Sequence, residues 1–224
     1  MNELIPKFKD IVFSNIEDTM IDYGEIGLDS ILNCFDIDIL KEVPALKTIV
    51  SIYKTLSIVN ERKLLKNTYI FIREFNSGNL NEIKKREYQY KINNNSELAE
   101  KELGRILILL NTFIDDQKII LLSKLFKTYI NEVISWDEFC EFSEVINRLF
   151  LQDIDILLKI FSEEIKILRN NETFFRAERL NSIGLIMLNS KSKFSFGENI
   201  LDEYNVCVNE FGRKFIQITL IWNI

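Results

Sequence analysis

Most of the chain repeats apolar residues at the spacing of an α-helix. Between residues 96 and 168, four consecutive stretches place an apolar residue at every third or fourth position, so each would bury one face. Each stretch follows residues that commonly cap a helix, which are Ser96, Asp115 or Asp116, Ser135 and Asp153. Ser135 is also followed by Glu138, which completes a capping box. Helices with such short connections predict antiparallel neighbours in a bundle or orthogonal array.

A longer apolar pattern and a less regular start precede this bundle. Pro44 suits the first turn of a helix, and apolar positions continue from it to Phe75. One long helix and two helices joined near residues 57–60 both fit. Residues 1–42 are irregular, and we interpret them as an N-terminal arm or cap on the core.

A basic stretch with aromatic residues lies between the two regions. Lys84, Lys85 and Arg86 stand beside Tyr88 and Tyr90, and such a pattern can bind single-stranded nucleic acid through phosphate contacts and base stacking. A solvated helix face or connector produces the same pattern more often, and it is the interpretation we favour.

The pattern changes after residue 171. Residues 172–183 keep helical spacing, whereas 185–188 and 204–208 have the apolar pattern of strands. A long polar loop joins the two strands, and Asn209 suits the N-cap of a final helix. The order helix, strand, loop, strand, helix predicts a small β-hairpin between two helices.

Gly184 marks the end of the first of these helices. A glycine suits the left-handed C′ position of a Schellman stop, which places Leu185 at C″ and Leu180 at C3. The segment resembles the second half of a winged helix, in which a recognition helix leads into a β-hairpin wing. The phrase that carries this resemblance is Leu180-Asn181-Ser182-Ile183-Gly184-Leu185-Ile186.

These patterns predict a mainly α fold, a multi-helix bundle with a small C-terminal winged-helix-like β-hairpin. We expect an N-terminal arm or cap at residues 1–42, a helical bundle at 43–171 and a winged-helix-like segment at 172–224. Hydrophobic residues make up 47% of the 224 residues, which supplies an ample core.

Cysteine usage and hydropathy favour the cytoplasm. The cysteines, Cys34, Cys140 and Cys207, are far apart and odd in number, which fits a reducing compartment better than a disulfide framework. No stretch approaches the ~20 apolar residues that a membrane-spanning helix needs. The nearest candidate, residues 43–59, carries a polar stripe and predicts a buried helix, with membrane-surface binding as an alternative.

The residue types limit the chemistry that the chain can perform. It has no histidine, which removes the commonest general base and the Ser-His and Cys-His nucleophile pairs. The scattered cysteines do not make a zinc site, and the two Asp-x-Asp pairs, at 36–38 and 153–155, lack the Gly and Glu of a calcium loop. The isolated glycines form no phosphate-binding loop. We therefore predict a protein that is not an enzyme and that has no catalytic residues, cofactor or metal.

Four basic residues of the C-terminal segment are candidates for nucleic-acid contact. We expect Arg176 and Arg179 on the exposed side of the 172–183 helix and Lys191 and Lys193 on the wing, where all four could contact phosphates. The net charge of −6 opposes a whole-surface grip on nucleic acid. In addition, one helix stands upstream where a winged helix normally has two.

Several short phrases of the sequence form a recognisable set. These phrases are Glu42-Val43-Pro44-Ala45-Leu46-Lys47, Glu61-Arg62-Lys63-Leu64-Leu65-Lys66, Phe71-Ile72, Ser135-Trp136-Asp137-Glu138-Phe139 and the ending from Gly184-Leu185-Ile186 to Gly212. Together they resemble uncharacterised helical proteins of bacteria, phages and mobile elements. The layout is similar to that of abortive-infection-type proteins with a C-terminal winged-helix-like segment, over residues 42–216. The resemblance implies a role in phage–host conflict and transfers no catalytic residue.

The first functional hypothesis is a non-enzymatic protein-interaction factor of phage or mobile-element origin, for defence or counter-defence, that binds a protein partner. One alternative is a DNA-binding transcriptional regulator that uses the C-terminal segment. Another is a peripheral membrane or immunity-type factor that uses residues 43–59, and a homo-oligomer is compatible with each. An acidic or apolar face on the 172–183 helix would favour the first hypothesis, and a basic face continuous with the hairpin would favour the second.

Overall fold

The computed structural model describes residues 4–13, 58–78, 80–165, 167–168, 171–191 and 203–221. This part of the chain is mostly helical with a small antiparallel hairpin near the C-terminus, which confirms that much of the prediction. Its helices are α1 (Leu4–Val12), α2 (Ile58–Asn76), α3 (Glu82–Asn94), α4 (Ser96–Thr112), α5 (Asp116–Ile130), α6 (Trp136–Arg148), α7 (Ile154–Phe161), α8 (Asn171–Ser182) and α9 (Glu210–Ile216). Its strands are β1 (Ile167–Leu168), β2 (Ile186–Lys191) and β3 (Glu203–Val208), with a 3-10 turn at Leu151–Asp153 and a π-helical turn at Gln217–Ile221.

The chain divides into two compact units after Phe139, within α6. The N-terminal unit contains α1 to α5 and the start of α6, and the C-terminal unit contains the rest of α6 and the elements that follow. The predicted boundary at residue 42 lies outside the described residues, and the one at residue 171 stays a prediction. No helix in the described ranges is long and apolar enough to cross a membrane.

The core of the N-terminal unit is an aromatic cluster around α2. This helix packs against α4 and α5, and α1 packs against α4. Phe71 and Phe75 share one face of α2 because they are four residues apart, and their buried rings stack with centroids 6.2 Å apart. Phe126 of α5 lies 6.0 Å from the first ring and 5.5 Å from the second. Whether α2 extends upstream into 43–57 lies outside the described residues.

Two lysines are buried at the C-terminal end of α2, where the carbonyl groups of a helix end favour cations. Lys127, only 2% exposed, donates from Nζ to the carbonyl oxygens of Glu74 and Ser77, each at 2.9 Å. Lys85 Nζ donates to the side-chain oxygen of Asn76 at 3.0 Å. Because Lys85 and Tyr88 are both buried, the stretch 84–90 matches neither a single-stranded nucleic-acid surface nor a fully solvated face.

The helix starts follow the predicted caps in part. Ser135 and Glu138 form the predicted capping box, with bonds of 2.9 and 3.2 Å. Asn95, one residue before the predicted Ser96, caps α4 by accepting from the Leu98 N–H at 2.9 Å. Asp115 and Asp153 stand at the predicted N-cap positions of α5 and α7, but neither makes a side-chain cap bond.

The C-terminal unit contains a three-stranded sheet in the order β1-β3-β2, with antiparallel pairing. Ile186 pairs with Val208 on a buried face, and Met187 pairs with Cys207 on an exposed face. α8 packs on β2, and α7 packs on β3. The two-residue strand β1 was not predicted, because two residues are too few to form a pattern.

The junction between α8 and β2 is the predicted Schellman stop. Gly184 has a φ of 80°, in the left-handed region. The N–H of Leu185 donates to the carbonyl of Leu180 at 3.1 Å, and that of Gly184 donates to Asn181 at 3.0 Å. Asn209 caps α9 as predicted, by accepting from the Gly212 N–H at 2.7 Å, and its Nδ2 donates to the Gly184 carbonyl at 2.8 Å.

Candidate functional site

A buried aspartate organises the polar contacts of α8. Asp153, whose side chain is 1% exposed, ends the turn before α7. Arg176 Nε donates to its Oδ1 at 3.0 Å, and Arg179 donates from Nε to Oδ2 at 2.8 Å and from Nη2 to Oδ1 at 2.6 Å. The two arginines reach one carboxylate because residues three apart are neighbours on a helix surface.

Asp155 and Phe150 complete this cluster. The guanidinium of Arg176 also pairs with Asp155, which stands on the first turn of α7. The guanidinium carbon of Arg179 lies 4.9 Å from the ring centroid of Phe150, within the range of a cation–π contact. We call Phe150, Asp153, Asp155, Arg176 and Arg179 the arginine–aspartate cluster.

The charges within the arginine–aspartate cluster cancel. Two guanidinium groups face two carboxylates, and the hydrogen bond to Asp153 raises the pKa of Arg179 above its ordinary value. Burial acts to lower the pKa of Arg176, but its hydrogen bonds to Asp153 and Asp155 outweigh burial and leave that pKa raised. Both arginines therefore stay charged, and bidentate bonds of this kind fix geometry as well as charge.

The candidate nucleic-acid residues are only partly brought together. Arg176 and Arg179 lie side by side with side chains that are 21% and 41% exposed, and both guanidinium groups bind aspartates. Lys191 is the last residue of β2, and its side chain lies outside the described part of the structure. Lys193 lies outside it altogether. Phosphate contact by these four residues stays a prediction.

A different stripe of α8 faces outward. Phe175 is 59% exposed, and Glu178, Asn181 and Ser182 are exposed beside it at the spacing of one helix face. We call these four residues the outer stripe. The outer stripe presents an aromatic ring, a carboxylate, an amide and a hydroxyl to solvent, whereas the two arginines of α8 bind aspartates.

The role of Asp153 was not visible in the sequence. Its position at a helix start predicted a cap, and its partners lie 23 and 26 residues further along the chain. The spacing of Arg176 and Arg179 indicated that they share a helix face, but not which face of α8 points inward. In the described residues, no group of three or more acidic or cysteine side chains is arranged to hold a metal ion.

Comparisons with protein-family models, curated proteins and solved structures gave no match to this chain. The geometry of α8 and its neighbours is therefore the basis for a functional assignment.

Proposed function

We propose that this protein is a non-enzymatic interaction factor that binds another protein through the outer stripe of α8. The supporting observation is that one stripe of α8 binds aspartates within the C-terminal unit while another stripe faces solvent. Arg176 and Arg179 are held by Asp153, whereas Phe175 and Glu178 face solvent. A helix that grips nucleic acid places its cations outward against phosphates, but this one turns them toward carboxylates.

An exposed aromatic residue beside a carboxylate fits a protein partner. Aromatic residues are enriched in the cores of protein interfaces, where they fill pockets on the partner. Phe175 would supply such an anchor, and Glu178 would select a basic neighbour on the partner. The net charge of −6 acts in the same direction, since complementary charge speeds association and excludes acidic partners.

We further propose a winged-helix-like arrangement for the C-terminal unit. α8 runs through Gly184 into the β2–β3 hairpin, and β1 pairs with β3 on the side away from β2. In this arrangement α8 takes the place of the recognition helix. Its outer stripe would then be the surface that a winged helix offers to its target.

A DNA-binding regulator is the second candidate, and the same element order supports it. Lys191 stands on the hairpin next to a helix in the recognition position. Against this candidate, the arginine–aspartate cluster uses the two cations of α8. The third candidate depends on residues 43–59, of which 43–57 lie outside the described residues. The setting in phage–host conflict stays a prediction from sequence.

The proposed function can be tested by affinity capture from a nuclease-treated bacterial lysate. We expect a protein retained by the wild type to be lost with Phe175→Ala and with Glu178→Lys. Ile108→Ala is the matched control for the first change, since Ile108 is also an exposed helical residue, 60% against 59% exposed. Glu141→Lys, an exposed glutamate of α6, controls for the second.

The nucleic-acid alternative is tested in the same preparation without nuclease. Lys191→Glu with Lys193→Glu is the informative variant, because changing Arg176 or Arg179 would remove a partner of buried Asp153. Capture of nucleic acid that the lysine variant abolishes, with a steep loss as salt rises, would establish the second candidate instead. In the nuclease-treated lysate, loss of the captured protein with Ile108→Ala to the same extent as with Phe175→Ala would contradict a role for the outer stripe.

A further inference from the structure

A cavity of about 410 Å³ opens on the N-terminal unit between α3, the start of α4 and the end of α5. Its volume falls within the range of small-molecule sites, roughly 300 to 1,000 Å³. The apolar and aromatic residues of its lining that are buried or half-buried, which we call the floor, are Tyr88, Leu98, Tyr129, Ile130 and Ile134. The floor therefore offers aromatic and branched aliphatic surface to a ligand.

The hydroxyl groups of the floor tyrosines are directed to a buried carboxylate. Tyr88 donates to Glu102 Oε2 at 2.6 Å, and Tyr129 donates to Glu102 Oε1 at 2.9 Å. Glu102 is 2% exposed and does not line the cavity. With these hydroxyls bound to Glu102, the tyrosines contribute mainly ring surface, which suits an apolar ligand body.

The rim of the cavity holds two lysines around one carboxylate. Lys84 Nζ lies 2.8 Å from Glu132 Oε2, and Lys91 Nζ lies 3.7 Å from Glu132 Oε1. Glu87, also on the rim, accepts from Lys84 at 3.0 Å. The side chain of Glu132 is 54% exposed, so it can leave the lysines for water.

Glu132 occupies a backbone position that usually belongs to glycine. Its φ is 60°, and it follows the end of α5 as the C′ residue of a Schellman stop. The supporting bonds run from the Glu132 N–H to the Tyr129 carbonyl at 2.9 Å and from the Val133 N–H to the Thr128 carbonyl at 3.1 Å. Glu132 thus adopts a backbone conformation that is unfavourable for a residue with a side chain, and its carboxylate lies between two ammonium groups.

We propose that this cavity binds a small organic carboxylate with an aromatic or branched aliphatic body. The body covers the floor, and the carboxylate replaces that of Glu132 between Lys84 and Lys91. Glu132 then acts as an internal competitor that occupies the two lysines in the absence of ligand. This site lies in the N-terminal unit and is independent of the partner surface proposed for α8.

Trp136 provides an optical probe of the site. Its ring centroid lies 5.3 Å from that of Tyr129, which lines the cavity. Trp222 is the second tryptophan of the chain, so Trp222→Phe leaves Trp136 as the single reporter. In this background, phenylacetate and 3-methylbutanoate would be titrated against their neutral amides by tryptophan fluorescence.

We expect saturable binding of at least one acid, with its amide at least about tenfold weaker because it lacks the charge-assisted bonds. Lys84→Ala with Lys91→Ala should weaken the acid by about tenfold or more for the same reason. Glu132→Gly should instead tighten it several-fold, since it removes the internal competitor and glycine adopts the required φ.

Glu163→Gly is the matched control, because Glu163 is the other described glutamate with a positive φ, 62°, and lies in the C-terminal unit. It should leave the affinity unchanged. Thermal melts of each variant show whether it is folded. Equal affinity for acid and amide, no saturable signal at millimolar acid, or an unchanged affinity in folded Glu132→Gly would overturn the proposed site.

Discussion

At the scale of single residues, Asp153 decides which chemistry α8 shows to solvent. Its carboxylate binds Arg176 and Arg179, and both arginines lie on one stripe of the helix. A buried charge depends on such partners, because desolvation is costly when the charge is left alone. The outward stripe is therefore left to Phe175 and Glu178.

Removal of Asp153 should destabilise the protein strongly. Asp153→Ala removes the carboxylate that Arg176 and Arg179 share, and loss of its charge-assisted hydrogen bonds should cost about 2 to 3 kcal/mol. Asp155→Ala is the control, since the Asp155 side chain is 55% exposed and exposed pairs contribute about 1 kcal/mol or less. Urea unfolding of both variants measures the difference. Similar losses for the two would contradict a structural role for Asp153.

Tyr88 should make the protein sensitive to alkaline pH. Burial, and then the charge and hydrogen bond of Glu102, raise the pKa of Tyr88 well above its ordinary value of 10.0. Between pH 10.0 and the raised pKa, Tyr88 loses its proton in the unfolded chain but keeps it in the folded protein. The contribution of Tyr88 is thus complete below pH 10.0 and is lost as pH rises through the folded pKa.

The measurement is urea unfolding of wild type and Tyr88→Phe at about pH 9 and about pH 11. At the lower pH, Tyr88→Phe should have a smaller free energy of unfolding than the wild type, because Glu102 loses a hydrogen-bond donor. Between the two pH values, the free energy of unfolding should decrease less in the variant than in the wild type. Burial lowers the pKa of Lys127, so titration of Lys127 makes the folded state more stable as pH rises, opposite to Tyr88. Because Lys127 is present in both proteins, the comparison of wild type with Tyr88→Phe isolates the effect of Tyr88. Equal pH slopes would contradict this account.

At the scale of elements, α9 packs directly against the backbone that begins β2. A Cβ placed on Gly212 would overlap the carbonyl oxygen of Leu185 and lie 2.9 Å from Cγ1 of Val208. The same addition at Gly104 of α4 meets nothing nearer than Cδ1 of Ile5 at 3.7 Å. The two glycines therefore serve different purposes, since only Gly212 allows a close approach of two backbones.

Alanine should separate the two positions. Gly212→Ala must push α9 away from Leu185 and should cost about 3 kcal/mol or more. Gly104→Ala should be neutral or stabilise by up to about 1 kcal/mol, because alanine favours the helix. Thermal unfolding with a circular dichroism signal tests both. A tolerated Gly212→Ala would show that the approach of α9 to β2 is not close.

Local motifs of the elements could be predicted, and tertiary ones could not. The capping box of Ser135 and the glycine stop at Gly184 are encoded within a few neighbouring residues, so the sequence alone indicates them. The burial of Lys85 and Lys127 depends on where α2 ends in space. The side-chain partners of Asp153 could not be predicted for the same reason, because they belong to another helix.

At the scale of the whole molecule, the predominance of helices follows from apolar periodicity. The division after Phe139 does not, because it falls inside α6, where no break in pattern marks it. Periodicity also placed Arg176 and Arg179 on one stripe of α8. It did not show that this stripe faces Asp153, and that orientation is the observation behind our proposal of a protein surface rather than the alternative nucleic-acid surface.

The most direct test of the proposed function is site-specific photo-crosslinking at Phe175. A photoreactive phenylalanine analogue replaces Phe175 or, as control, Ile108, and adducts formed in cells are identified by mass spectrometry. We expect a defined protein adduct from position 175 that Glu178→Lys removes, and no such adduct from position 108. Crosslinking to nucleic acid at 175, or the same protein adduct from both positions, would contradict recognition of a protein by the outer stripe.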